Sequence, residues 1–216
     1  MWPVMFNAVG GSSIYYGAEW PRLLPSDFRV KTLGCVCDDW PISYEDLRPY
    51  YEQTDVEFGA AGLGGDPAYP VPFEPPYPPL PIGQGALRVA RAHTRLGWHW
   101  WPSDIAVATT DYEGRAKCIN LGHCTPGCAQ GAKASVDITY WPQALRAGVE
   151  LRTLCRVREI TVDDHGMASG VVYYDAEGKE HFQPAEVVIL ACNGVGTPRP
   201  MPKSLSARFP NGNATS

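Results

Sequence analysis

Residues 149–192, VELRTLCRVREITVDDHGMASGVVYYDAEGKEHFQPAEVVILAC, are where the apolar pattern of this chain turns from helical to strand-like. ELRTLCRVREITVD and SGVVYYD carry the β-branched and aromatic residues that favour strands. Ala176-Glu177-Gly178-Lys179 supplies a turn, so the sequence predicts a hairpin between Gly170 and Phe182. EVVILAC is a short unbroken apolar run, the pattern of a strand buried on both faces.

Upstream the pattern is helical and interrupted. Ser43, with Glu45 and Asp46, opens a predicted amphipathic helix in which Leu47, Tyr50 and Tyr51 recur at i, i+3 and i+4. From Gly59 to Pro81 the chain is rich in glycine and proline, and PVPFEPPYPPLP reads as an extended polyproline strap. ALRVARAHTRL predicts a second helix, with Leu87, Val89, Ala90 and Leu96 as its apolar stripe and Gly97 as its stop. Trp98, Trp100 and Trp101 read as core residues. SVDITYWPQALRAG predicts a third helix, N-capped by Ser135 and ended at Gly148 despite Pro142. Helices followed by an antiparallel hairpin make the expected class α+β, a mixed α/β architecture.

Composition narrows the function. The 216 residues are 44% hydrophobic, enough for a core, yet 22 glycines and 21 prolines demand much loop. With 19% charged residues, a net charge of -5 and no basic block, nucleic acid is not an expected partner. No apolar run is long enough to form a transmembrane segment. The opening MWPVMFNAVGGSSIYYGAEWPRL enters a glycine-rich turn at once, which is how the middle of a domain reads, and it lacks the build of a signal peptide.

The densest chemistry lies in CINLGHCTPGC, residues 118–128, where Cys118, Cys124 and Cys128 stand six and four residues apart. Three thiols on so short a loop suit one soft metal centre. Against the ferredoxin run C-x2-C-x2-C-x3-C, Leu121 stands where the second cysteine belongs. A cuboidal cluster held at three corners is naturally the 3Fe-4S form, which moves single electrons. Two other readings stay open: a Cys3His zinc set completed by His123, and disulfides or unligated thiols, since seven cysteines leave one over.

Four separated stretches resemble the glucose-methanol-choline (GMC) oxidoreductases, FAD-dependent alcohol and sugar dehydrogenases and oxidases, and they occur in that family's order. NAVGGSSIYYGAEW is similar to the family's N-x-x-G-G-S-S/T…N-G segment, which lies against the flavin; DWPISYEDLRPYYEQ is similar to the helix that follows it. CRVREI resembles the segment whose backbone meets the adenine, and VVILACNGVGTPR the strand and turn that close on FAD. The resemblance implies FAD contacts at Asn7, Gly10, Gly11, Ser12 and Ser13, with Tyr16, Gly17 and Ala18 beside the isoalloxazine. It also implies that Val157 meets the adenine through its backbone and that Ala191 and Cys192 line the other side. The loop ending GCAQGAK is similar to that of bacterial membrane-linked sugar, polyol and gluconate dehydrogenases, which implies a 3Fe-4S cluster on Cys118, Cys124 and Cys128 passing electrons from flavin to a cytochrome c-type partner.

The implied fold is a partial Rossmann-like FAD-binding domain interleaved with part of a substrate domain. Residues 1–58 would hold the FAD-contacting segment and its helix, and residues 59–134 a loop-rich part of the substrate domain with the cysteine loop. Residues 135–216 would return through a helix and strands to the FAD-binding domain. Tyr16 stands where the family often has asparagine, and Asn193 where it often has glycine. The tail PMPKSLSARFPNGNATS, with Pro202, departs from the family's leucine-rich helix. The G-x-G-x-x-G turn that grips the ADP end of FAD and the family's C-terminal histidine base are not in this sequence, and none of its histidines (93, 99, 123, 165, 181) lies in such a motif, so no catalytic residue is assigned. The expectation is an inactive internal fragment of an enzyme that oxidises a small alcohol or sugar. The resemblance places similar enzymes at the periplasmic face of the inner membrane; the alternative is a stand-alone iron-sulfur or zinc module.

Overall fold

The computed structural model describes residues 5–197, so the tail containing Pro202 falls outside the described residues. The chain divides into two units, Met1–Val149 and Glu150–Ser216.

The first unit is organised around one short extended segment, Ile105–Ala108. Its backbone is shared by four others: Ile105 exchanges both hydrogen bonds with Ala61, at 2.8 and 2.9 Å, and the Ala106 N–H donates to Ala18 at 2.8 Å. The Ala106 carbonyl accepts from Ala134 at 2.8 Å, and Ala108 both donates to Ala132 and accepts from Cys118. These contacts are isolated bridges rather than a continuous sheet. Ala18, Ala61, Ala106 and Ala132 are 0% exposed. Segments crossing this closely leave room for a methyl group and little more. Larger side chains pack around the hub: Trp20 stacks on Phe58 at 4.4 Å, and Phe58 meets Tyr140 edge-on at 5.1 Å.

Helix α1 (Val30–Gly34) is short, and α2 (Tyr44–Phe58) begins as predicted. The Ser43 hydroxyl accepts from the Asp46 N–H while the Asp46 carboxylate accepts from the Ser43 N–H, a reciprocal cap. The buried face of α2 runs through Tyr44, Asp55 and Phe58, whereas Tyr50 is 64% exposed, so the apolar stripe is rotated from the predicted one. Asp55 faces inward because it holds Arg22: the two pair at 2.6 Å, and Trp20 Nε1 donates to the other carboxylate oxygen at 3.0 Å. Phe73, from the proline-rich strap, covers the guanidinium at 3.8 Å.

Helix α3 (Gln84–Leu96) ends at Gly97 in the left-handed conformation, as predicted. Of its predicted stripe, Ala90 is buried, but Val89 and Leu96 are 57% and 60% exposed. Trp98 and Trp100 are exposed as well, contrary to a core role, and Trp101 is tied down by donating to the Leu63 carbonyl at 2.6 Å. Helix α4 (Tyr140–Arg146) starts four residues later than predicted. Ser135 does not cap it; its carbonyl instead closes a preceding turn by accepting from Ile138 and Thr139. Pro142 falls in the first turn of α4, where an N–H has no intrahelical partner and its loss is harmless.

In the second unit, β1 (Arg156–Val162), β2 (Ala168–Tyr174) and β3 (Glu180–Pro184) form an antiparallel sheet in the order β1-β2-β3. The predicted hairpin is present: Val172 pairs with Phe182, and Gly178 makes the turn with φ 79. A bulge between Val157 and Glu159 releases Arg158, which pairs with Glu180 at 2.6 Å. Residues 186–192 correct the sequence reading. EVVILAC forms no strand, and Val187 and Ile189 are 76% and 84% exposed. No strand among the described residues pairs with it, and a lone extended run cannot bury its own faces. A short helix, α5 (Asn193–Gly196), follows.

Two stability predictions arise here. Asp55→Ala leaves the Arg22 guanidinium buried without its counter-charge and should cost about 3–5 kcal/mol, measured by denaturant unfolding of the chain. Asp104 concerns pH. Burial, reinforced by Asp55 and Asp66 and opposed by Arg22, raises its pKa to about 6. The fold therefore holds this proton more tightly than the unfolded chain, whose carboxyl titrates near about 4. The resulting stability is full below that unfolded value and is lost as pH rises through about 6. Thermal melts across this range should show the loss, and Asp104→Asn should flatten it.

Candidate cofactor site

The glycine turn is built from both sides. Gly10 and Gly11 have φ 93 and 56, in the left-handed region. The Gly11 N–H donates to the Ala8 carbonyl at 2.8 Å, and a 3-10 turn, Gly11–Tyr15, follows. Ser13 braces the turn from within: its hydroxyl donates to the Gly10 carbonyl at 2.6 Å and accepts from the Val136 N–H at 3.0 Å. Ser12 accepts from the Phe6 N–H at 3.3 Å, and Asn7 is exposed.

The two glycines differ in what lies behind them. A Cβ on Gly10 would stand 2.9 Å from Asp137 Cβ and 3.0 Å from its Oδ1, whereas a Cβ on Gly11 would meet nothing within 4 Å. Gly10 is thus required by the packing of Asp137, and Gly11 presents bare backbone to open space. Asp137 Oδ1 is buried without a hydrogen-bond partner. Bare backbone beside an unused acceptor fits a flat cofactor that carries hydroxyl or N–H donors.

The next residues turn inward. The Tyr16 hydroxyl donates to the Ala134 carbonyl at 2.6 Å, and burial, opposed by Arg115, raises its pKa to about 12. Its ring belongs to the alanine-rich core, so the hydroxyl is engaged inside the protein. Gly17 lies beside Thr125 of the cysteine loop, and the Ala18 methyl is wholly buried. Val157, Ala191 and Cys192 belong to the second unit; Val157 is 47% exposed on β1, and the Cys192 N–H donates to Thr197 Oγ1 at 3.2 Å.

Cys118, Cys124 and Cys128 are half-buried and unpaired, and all seven cysteines are free. Of the three sulfurs, Cys118 has a donor turned toward it. The Asn120 N–H approaches Cys118 Sγ at 3.3 Å. Burial would raise the Cys128 pKa, yet backbone N–H groups of Lys133, Gln130, Ala132 and Gly131 hold it below its ordinary value. Backbone N–H dipoles near a sulfur favour its thiolate form. The three sulfurs are not drawn onto one centre, however: among the described residues no group of three or more His, Cys, Asp or Glu is placed to hold a metal ion. His123 is exposed.

The sequence reading missed Lys133. It is 3% exposed, and its ammonium donates to the carbonyls of Ile14 at 2.7 Å, Tyr16 at 2.9 Å and Cys124 at 2.7 Å. Burial lowers its pKa, and Cys124, Cys128 and Asp137 oppose that. The available signal was a single lysine set between Ala132 and Ala134, in a run otherwise made of small residues.

The glycine turn has one open face, at Gly11, and Gly17 brings the segment that carries it beside the loop of free thiols. The GMC oxidoreductase model matches residues 88–206, and this chain belongs to that family, whose members bind FAD. It is 40% identical to 2-methyl-1,2-propanediol dehydrogenase of Mycolicibacterium austroafricanum over 99% of this chain and 39% of that protein. It is 27% identical to the fructose dehydrogenase large subunit of Gluconobacter japonicus, over 98% of this chain and 39% of that one. It is 30% identical to the gluconate 2-dehydrogenase flavoprotein of Pantoea cypripedii, over 86% and 36%. The chain therefore spans about two-fifths of the length of the relatives it matches.

The contrast between the glycines is testable. Gly11→Ala should carry the left-handed backbone cost alone, about 1–2 kcal/mol. Gly10→Ala should cost distinctly more, because its methyl also displaces Asp137. Paired denaturation curves on the two variants check the order.

Proposed function

We propose that this chain is part of an FAD-dependent oxidoreductase that oxidises a carbon-bound hydroxyl of a small alcohol, polyol, sugar or sugar acid. Membership in the GMC family carries the reading, and the open backbone at Gly11 supports it. When bound, FAD supplies the hydride acceptor. The residues of this chain bind and orient: Gly11 allows close approach, Ser13 fixes the turn, and Asp137 Oδ1 offers an acceptor. No histidine is assigned as the base that takes the hydroxyl proton. His99 and His181 sit within ion-pair distance of Asp66 and Asp175, away from the glycine turn in sequence.

The test is to purify the polypeptide encoded in frame at its own locus and to examine its flavin. FAD should be present, and its absorbance should bleach when one of a panel of alcohols, polyols and sugars is added. A product without flavin, or one that no member of the panel bleaches, overturns the reading.

Three free, half-buried thiols on one short loop support a second element, an iron-sulfur cluster of the 3Fe-4S type on Cys118, Cys124 and Cys128, with a cytochrome c-type protein as acceptor. The loop would have to gather its sulfurs around the cluster. Iron and acid-labile sulfide in the purified protein, both lost in Cys124→Ser, are the expected result. Zinc in place of iron, or no metal, overturns it.

A further inference from the structure

We infer that Lys133 is a positioning residue, locking the cysteine loop to the segment that carries the glycine turn. An ammonium has three protons, and here each goes to a backbone carbonyl: Ile14, Tyr16 and Cys124. Two of these acceptors flank the end of the Gly11–Tyr15 turn, and the third belongs to one of the three clustered cysteines. No carboxylate forms an ion pair with Lys133 among the described residues, and the charge is satisfied by peptide dipoles.

The neighbouring ties show what this clamp adds. The Cys118 N–H is fixed by the Ala108 carbonyl at 2.8 Å, and beyond Cys128 the Ala132 carbonyl accepts from the Ala108 N–H at 2.9 Å, so the chain is anchored to the hub on both sides of the loop. Between them, the Cys124 carbonyl accepts from Gly127 within the loop at 3.3 Å and from Lys133. Lys133 thus joins the middle of the loop to residues more than a hundred positions earlier. The side chain also lies over the Tyr16 ring, its nitrogen 5.1 Å from the ring centre. The functional consequence rests on the FAD reading above: one buried cation sets the spacing between the flavin-side segment and the thiols. The mechanical claim stands on the hydrogen bonds alone.

The experiment is hydrogen exchange by mass spectrometry on the full chain. It compares wild type with Lys133→Met, which keeps the stem and removes the donors, and with Ser43→Ala, which weakens the first unit elsewhere. In Lys133→Met, peptides covering 12–18 and 120–128 should exchange together about tenfold faster or more, as expected for losing buried hydrogen bonds to a charged group. The hairpin at 168–184 should keep its wild-type rates. Lys133→Arg, whose planar fork cannot serve three carbonyls grouped around one nitrogen, should loosen the same two segments to a smaller degree, and it carries the test if Lys133→Met does not fold. Loosening of the cysteine loop alone, of neither segment, or of the whole first unit to the degree seen in Ser43→Ala overturns the inference. Flavin content is scored separately: a wild-type protein without FAD would overturn the cofactor reading and leave the paired exchange result standing.

Discussion

The first unit depends on a steric constraint at Ile105–Ala108, where one extended segment is hydrogen-bonded from both sides by chains arriving from residues 18–20, 61, 118 and 132–134. Peptide groups that deep must find partners, and here they find each other. Most of the side chains buried at the crossing are small. Alanine suits this arrangement: it packs without forcing the segments apart and has little side-chain entropy to lose. A valine at Ala106 would add two methyl groups at a wholly buried position packed with Phe58 and Ala134.

Both candidate features hang from this hub. The glycine turn reaches it through Ala18, and the cysteine loop leaves it at Cys118 and rejoins it at Ala132. The distance between turn and loop is therefore a property of the hub's geometry, trimmed by the Lys133 ammonium. The Arg22–Asp55 pair serves a different purpose. It fastens α2 and the proline-rich strap to the strand-like segment beginning at Ala18, and it does so with both charges nearly out of water. Pairs of this kind fix orientation more surely than they add stability.

Local chemistry was legible in the sequence, and long-range chemistry was not. The Ser43–Asp46 cap, the Gly97 stop and the turn at Gly178 were readable because each is decided by residues a few positions apart. The hub was invisible because IAVA has no distinctive periodicity and its partners lie up to about ninety residues away. EVVILAC was misread for the opposite reason: composition says what a segment would do in a sheet, but it cannot supply the neighbouring strands. The tryptophans after α3 were assigned inward on hydrophobicity, and the same bulk leaves Trp98 62% exposed. At the candidate site, the glycines and cysteines stood out by type. Lys133 and Asp137 did not, since their roles depend on carbonyls and a glycine brought to them by the fold.

The alanine hub also governs how the protein should respond to heat. Among the described residues those at 0% exposure are alanines, and Phe28, Tyr44 and Phe58 are the few large hydrophobic side chains that are buried, so much of what folding sequesters is peptide group and methyl rather than bulky hydrocarbon. Exposing apolar surface raises the heat capacity and exposing polar surface lowers it. Unfolding this unit should therefore carry a small heat-capacity increment for its length. Its stability curve would be shallow, flatter on both the cold and the warm side than that of a domain packed with leucine and phenylalanine.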